Sequence, residues 1–168
     1  TALVYIYFFV RLLFYALSIS PAIPPDEVDH LGISRLFSQS WSLPQDSPAS
    51  YEYGPVTHVP YLYYYLMGVF LRLNLFGIDD LILLRILNAL MSMTLLFYAH
   101  RWIRLLSPSR TMHLLFLVLL TNTPMLTFIG AAVNYDNLVN LTAVMSLYYL
   151  QRYSREGDAR SLLLFGTA

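Results

Sequence analysis

The chain has 168 residues, of which 57% are hydrophobic, 15% aromatic and only 12% charged. A soluble domain carries about 25% charge, so this composition belongs to the membrane class and excludes an ordinary soluble globular domain. Ten arginines balance ten acids without any lysine, which excludes a basic nucleic-acid footprint, and the absence of cysteine excludes a disulfide framework or thiolate metal site.

In chain order, residues 2–19 form an apolar run close to the ~20 residues that cross a hydrocarbon core of about 30 Å. The run exceeds the h-region of a signal peptide and no Ala-x-Ala-like site follows, so a retained helix is expected. Residues 20–57 are acidic and rich in Pro and Ser, and residues 42–54 read as a loop connecting short surface helices. Residues 59–76 are long enough to span, but Pro60, four tyrosines among residues 61–65, Arg72 and Asn74 suit the membrane interface. Further spans are predicted over 81–99, 113–129 and 138–150. The first residue is Thr1 and the terminal apolar stretch 161–168 is too short to cross, so a piece of a larger membrane module is expected.

Arginine placement sets the expected topology, because short cytoplasmic loops carry the excess of basic residues. Residues 100–110 contain Arg101, Arg104 and Arg110, and residues 151–160 contain Arg152, Arg155 and Arg160. Residues 20–57 hold five acids against Arg35 alone. The two kinds of loop separate only if residues 59–76 lie in the interface. Residues 20–80 then form an extracytoplasmic loop subdomain, 130–137 lie on the same side, and 100–112 and 151–160 face the cytoplasm.

Three segments carry candidate chemistry. In Pro24-Pro25-Asp26-Glu27-Val28-Asp29-His30, two prolines end the first helix and acids suit the first turn of the next. Asp26, Asp29 and His30 then share one helical face, whereas Glu27 points about 100° away from Asp26. Capping and ordinary solvated charge account for the same residues equally well. In Asn134-Tyr135-Asp136-Asn137, either Asn134 or Asp136 can N-cap the following helix, and an ionisable residue at a membrane boundary is also a functional candidate. Around the turn expected at Gly54-Pro55, Glu52 and His58 could bind sugar hydroxyls, a phosphate or a metal, while most of the tyrosines read as an interfacial belt. Arg85 and Arg72 can meet a phosphate near the outer surface, but snorkelling to the interface is the simpler expectation for Arg85, and the same holds for Arg11. Phosphate-loop, dinucleotide, zincin and nucleophile-elbow motifs do not occur.

One span, Pro-Pro-Asp-Glu, a long loop ending in an aromatic helix, an arginine-bearing helix, an arginine-rich turn and Asn-x-Asp-Asn follow one another. This order resembles the polytopic C-type (GT-C) membrane glycosyltransferases, in particular the protein O-mannosyltransferase and aminoarabinose-transferase-like group. The resemblance covers nearly all of residues 1–168, as the N-terminal part of a larger module. It implies an all-α, multi-span helical bundle with short interfacial helices in an extracytoplasmic loop. It also implies transfer of a sugar from a polyprenyl-phosphate donor to a protein, lipid or glycan acceptor, with membrane lipids as surroundings. By position the catalytic acid falls on Asp26, with Glu27 beside it, and a second acid that helps arrange the site falls on Asp136. Asn134, His30, Glu52, His58 and Arg85 complete the expected substrate-binding set, and a divalent metal is left open. Where many relatives have Pro-Pro-Leu, this chain has Thr57-His58-Val59-Pro60-Tyr61-Leu62, which weakens any transfer of a role to His58. Two other classes remain: a transporter or flippase with Asp26, Asp136 and Arg85 along its pathway, and a noncatalytic assembly subunit.

Overall fold

A computed structural model describes residues 1–48, 50–53 and 58–167. Among these residues there are eight α-helices, one short 3-10 turn and no strands. The helices are α1 (Ala2–Ser18), α2 (Glu27–Ser38), α3 (Tyr61–Arg72), α4 (Asp80–Leu106), α5 (Arg110–Thr121), α6 (Pro124–Gly130), α7 (Asp136–Glu156) and α8 (Ala159–Thr167). The turn expected at Gly54-Pro55 lies outside the described residues.

Local chemistry explains most boundaries. Gly77 takes a left-handed conformation and the Asn74 side chain bonds both N–H and C=O of Ile78, which turns the chain. Asp79 Oδ1 then accepts the Ile82 amide at 3.1 Å and starts α4. Ser109 caps α5 in the same way, Pro124 opens α6 at a position that needs no amide, and left-handed Gly157 closes α7.

The 27 residues of α4 form the axis of the molecule and make the one helix among the described residues long and apolar enough to cross a membrane. α1 is apolar but shorter. The span predicted over 113–129 falls on two helices, α5 and α6, bent by 63°, which together are apolar and long enough for a broken span or a re-entrant loop. Asn122 and Thr123 interrupt the apolar run there and Pro124 cannot continue the amide ladder of α5. α3 has 12 residues, about 18 Å, which is shorter than a hydrocarbon core.

Two apolar cores flank α4. Phe8, Leu12 and Ala16 of α1 pack with Ala89 and Leu96 of α4 and Leu117 of α5. Ile33 and Phe37 of α2 pack with Tyr64 and Met67 of α3, Leu84 of α4 and Val133. Gly68 permits the close approach of α3 to α2, since a Cβ there would sit 2.7 Å from the Phe37 carbonyl carbon. A buried polar chain ties the second core to α7: Tyr63 and Asn88 exchange a hydrogen bond, and Asn137 Nδ2 donates to Asn88 Oδ1 at 2.8 Å and to Ile129 O at 2.9 Å.

Candidate functional site

The site forms where the C-terminus of α1, the N-termini of α2 and α4, and the α6–α7 junction meet. Arg85, one turn inside α4, is 2% exposed, and Glu27, the first residue of α2, is 1% exposed. Their pairing is bidentate: Arg85 Nε donates to Glu27 Oε1 at 2.9 Å and Nη2 donates to Oε2 at 2.5 Å. Nη1 donates to the carbonyls of Ala16 and Ile19 at the end of α1, and Glu27 Oε1 also accepts the Val133 amide at 2.8 Å. One ion pair therefore joins three helices and a junction. The snorkelling expected of Arg85 does not occur, because the guanidinium finds a carboxylate and two unsatisfied helix-end carbonyls inside the protein. Four of its five N–H donors are spent, which leaves little for a phosphate.

Clamping Glu27 fixes the residue before it. Asp26 is exposed and has φ 56° and ψ 13°, which makes it the one non-glycine residue in the left-handed region among those described. Its carbonyl accepts the His30 amide at 2.9 Å, so the backbone is held from both sides, while its carboxylate accepts no hydrogen bond among the described residues. Asp26 thus presents a free carboxylate on a constrained backbone, while Glu27 and His30 are both turned into the protein.

His30 brings the acids into relation. Its Nδ1 lies 2.7 Å from the Tyr64 hydroxyl, and the edge of Tyr135 meets its ring at a centroid separation of 5.4 Å. Asp26, Asp29, Asp136 and Glu27 all act electrostatically on His30 and would raise its pKa, yet burial outweighs them and the pKa falls below the ordinary value. Burial also pushes the Tyr64 hydroxyl up, with Tyr135, Asp29, Asp136 and Asp26 adding to the effect. Both groups are therefore neutral at pH 7, beside three carboxylates that accept no hydrogen bond among the described residues.

Asp136 does not serve as the cap of α7. Asn134 Oδ1 accepts the Asp136 amide at 2.8 Å, and Asp136 is the first residue of the helix. Tyr135 takes the N-cap position without a side-chain bond, so neither Asn134 nor Asp136 caps α7 as expected, and the Asn134 bond closes a turn just ahead of the helix. Glu52 and His58 are exposed, and among the described residues no hydrogen bond or ion pair joins either to this cluster. Arg72 is spent elsewhere: it donates to the carbonyls of Phe37, Ser38 and Ser40 at the end of α2, and Trp41 lies 3.9 Å from its guanidinium. Arg11 donates to Tyr7 and to the Thr121 carbonyl. Among the described residues no three His, Asp or Glu side chains are grouped closely enough to hold a metal ion.

A mostly apolar cavity of about 220 Å³ opens beside the site, between Pro60 and Leu62 on one side and Tyr135, Leu138 and Val139 on the other. The sequence reasoning missed the Glu27–Arg85 pair and the Tyr63–Asn88–Asn137 chain. The signal for the first was present, because an arginine inside an apolar helix needs a partner. Compared with models of known protein families, with curated proteins and with solved structures, the chain matches none.

Proposed function

We propose that the chain is part of a multi-span membrane glycosyltransferase that moves a sugar from a polyprenyl-phosphate carrier to an acceptor at the extracytoplasmic face, with Asp26 as general base. The observation that carries this reading is the Asp26 backbone: a strained left-handed conformation at an acid, held by a buried ion pair on the next residue, with its carboxylate free. Strain of this kind persists where surrounding structure over-determines it, and it is concentrated at sites that need preorganised groups.

The chemistry needs an ionised acid within about 2.6–3.2 Å of an acceptor hydroxyl. Asp26 takes that proton as the oxygen attacks the anomeric carbon, and the bond to the lipid phosphate breaks on the opposite face, which inverts the configuration. Asp29, Asp136, the His30–Tyr64 pair and Tyr135 offer hydroxyl-binding groups around the sugar. The apolar cavity beside Tyr135 suits the lipid end of the donor. Outward-facing Leu3, Ile6, Val10, Phe14 and Leu17 on α1 support lipid contact, since so long an apolar stripe is rare on a soluble surface. A transporter would place its acids midway along broken helices, whereas these carboxylates cluster where α2 and α7 begin.

The test is turnover of the complete protein with radiolabelled polyprenyl-phosphate sugars. Asp26→Asn should lower turnover about 10²- to 10⁴-fold with expression unchanged. Turnover within about threefold of wild type would remove Asp26 from the chemistry. Absence of any sugar transfer by the wild-type protein across a panel of such donors would sink the reading as a whole.

A further inference from the structure

The opposite end of α4 carries the opposite charge. From Arg85 to Arg101 the helix rises about 24 Å, and to Arg104 about 28 Å, close to the ~30 Å of a hydrocarbon core. Six of the ten arginines, Arg101, Arg104, Arg110, Arg152, Arg155 and Arg160, are gathered in the chain segments at this end, against two acids, Glu156 and Asp158. Both acids are engaged by Arg152, at 2.8 and 3.7 Å. Among the described residues the other five arginines form no ion pair within 4 Å, and the guanidinium groups of Arg101 and Arg104 donate no hydrogen bond.

These cations line a cleft rather than only a loop. Phe97, His100, Arg101, Arg104 and Tyr148 wall a cavity of about 330 Å³. A second cavity of about 510 Å³, bounded by His100, Arg104, Arg110 and His113, adjoins it. Arg101 is held over two aromatic faces, 5.6 Å from the centre of Phe97 and 5.5 Å from that of Tyr148. Such stacking orients the guanidinium while leaving its N–H edges available. Arg104 follows one turn later on the same face of α4. Orientation of the protein in a membrane needs only basic residues in the loops. It does not need two arginines within the helix, seated in an aromatic-walled cleft with their donors unused.

We infer that the cleft walled by Phe97, His100, Arg101, Arg104 and Tyr148 binds the phosphate group of an anionic phospholipid headgroup. The guanidinium fork matches phosphate oxygens in pairs, and basic pockets between helices at a membrane surface are suited to anionic headgroups. The inference rests on α4 crossing the membrane and is independent of sugar transfer.

Native mass spectrometry of the complete protein in detergent, titrated with phosphatidylglycerol, phosphatidylcholine or inorganic phosphate, tests it. Wild-type protein should prefer phosphatidylglycerol to phosphatidylcholine by about tenfold or more, and the double variant R101Q/R104Q should lose that preference. R155Q, which changes a charge at the same end but outside the cleft, should keep it. If R101Q/R104Q does not fold, R101K/R104K retains the charge without the fork and should bind about threefold or more weakly than wild type. Displacement of the lipid by millimolar inorganic phosphate would mark a free anion as sufficient, and retention of the lipid would mark the headgroup as the source; both support a phosphate site if Arg101 and Arg104 are needed. An unchanged preference in R101Q/R104Q, wild-type affinity in R101K/R104K, or an equal loss in R155Q would each overturn it.

Discussion

Removing one partner of the Glu27–Arg85 pair should destabilise the fold, and the size of the effect follows from the contacts. In Arg85→Met, four hydrogen bonds are lost: two to Glu27, one to Ala16 and one to Ile19. Glu27 then remains buried with only the Val133 amide as a donor. Breaking a buried pair in this way costs about 3–5 kcal/mol, a large part of the ~5–15 kcal/mol that holds an ordinary domain together. Glu27→Leu should cost a similar amount, because it leaves the buried guanidinium of Arg85 without its carboxylate. The pair Glu27→Leu with Arg85→Met removes both charges, and its loss should fall short of the sum of the single losses by about 2 kcal/mol or more. Denaturant unfolding in micelles, followed through Trp41 and Trp102, measures all four proteins. A coupling below about 0.5 kcal/mol would mean that the pair does not brace the fold.

Other expectations separate chemistry from structure. Asp136→Asn should change stability by less than about 0.5 kcal/mol, since the Asp136 side chain does not cap α7, while turnover falls; full activity would take Asp136 out of the site. Because the pKa of His30 is lowered by burial, the folded state binds fewer protons there than the unfolded one. The stability that neutral His30 supplies is complete above its unfolded pKa of about 6.5 and is lost as pH falls through the window below it. Wild type should therefore melt higher than His30→Gln at pH 7.5, with the gap closing by pH 5.5; a widening gap would contradict the sign. In this cysteine-free sequence, single cysteines at Ser47 and Tyr135 should react with an impermeant reagent outside cells and one at Ser107 should not. External labelling at Ser107 would reverse the side assigned to the arginine end.

How much of this was legible in the sequence depends on how local the cause is. The start of α2 after Pro24-Pro25 follows from local chemistry, but the helical face expected to be shared by Asp26, Asp29 and His30 does not form, because Asp26 is left-handed and precedes α2 and His30 is buried while Asp29 is exposed. The break between α5 and α6 was equally local: Asn122, Thr123 and Pro124 lie together inside the predicted span 113–129, and Pro124 interrupts the amide ladder there. The Glu27–Arg85 contact is of another kind, because 58 residues separate its partners and only the return of α4 past α1 and α2 brings them together. Asn88 and Asn137 are similar, since each alone reads as an ordinary polar residue, one inside α4 and one at the start of α7, and their pairing depends on the two helices lying side by side. Arg85 was visible as an anomaly, but its partner was assigned to the chemistry instead of to the fold.

That reassignment strengthens the case for Asp26 rather than weakening it. Two adjacent acids have opposite fates: Glu27 is drawn inward by Arg85 and the Val133 amide, and Asp26, one residue earlier, is forced into a conformation that costs a non-glycine residue about 1–3 kcal/mol. Glycine would occupy the same backbone without that cost. A carboxylate in its place is not explained by capping, because the side chain bonds none of the free amides of α2. Nor is it explained by an ion pair, since none forms at Asp26 among the described residues. What the strain secures is position: an acid held at a fixed point by a multiply bonded buried ion pair and within the field of His30. Fixed placement of a free base lowers the entropic cost of meeting a second reactant, and that consequence of the geometry is useful to a group-transfer site and idle in a merely structural loop.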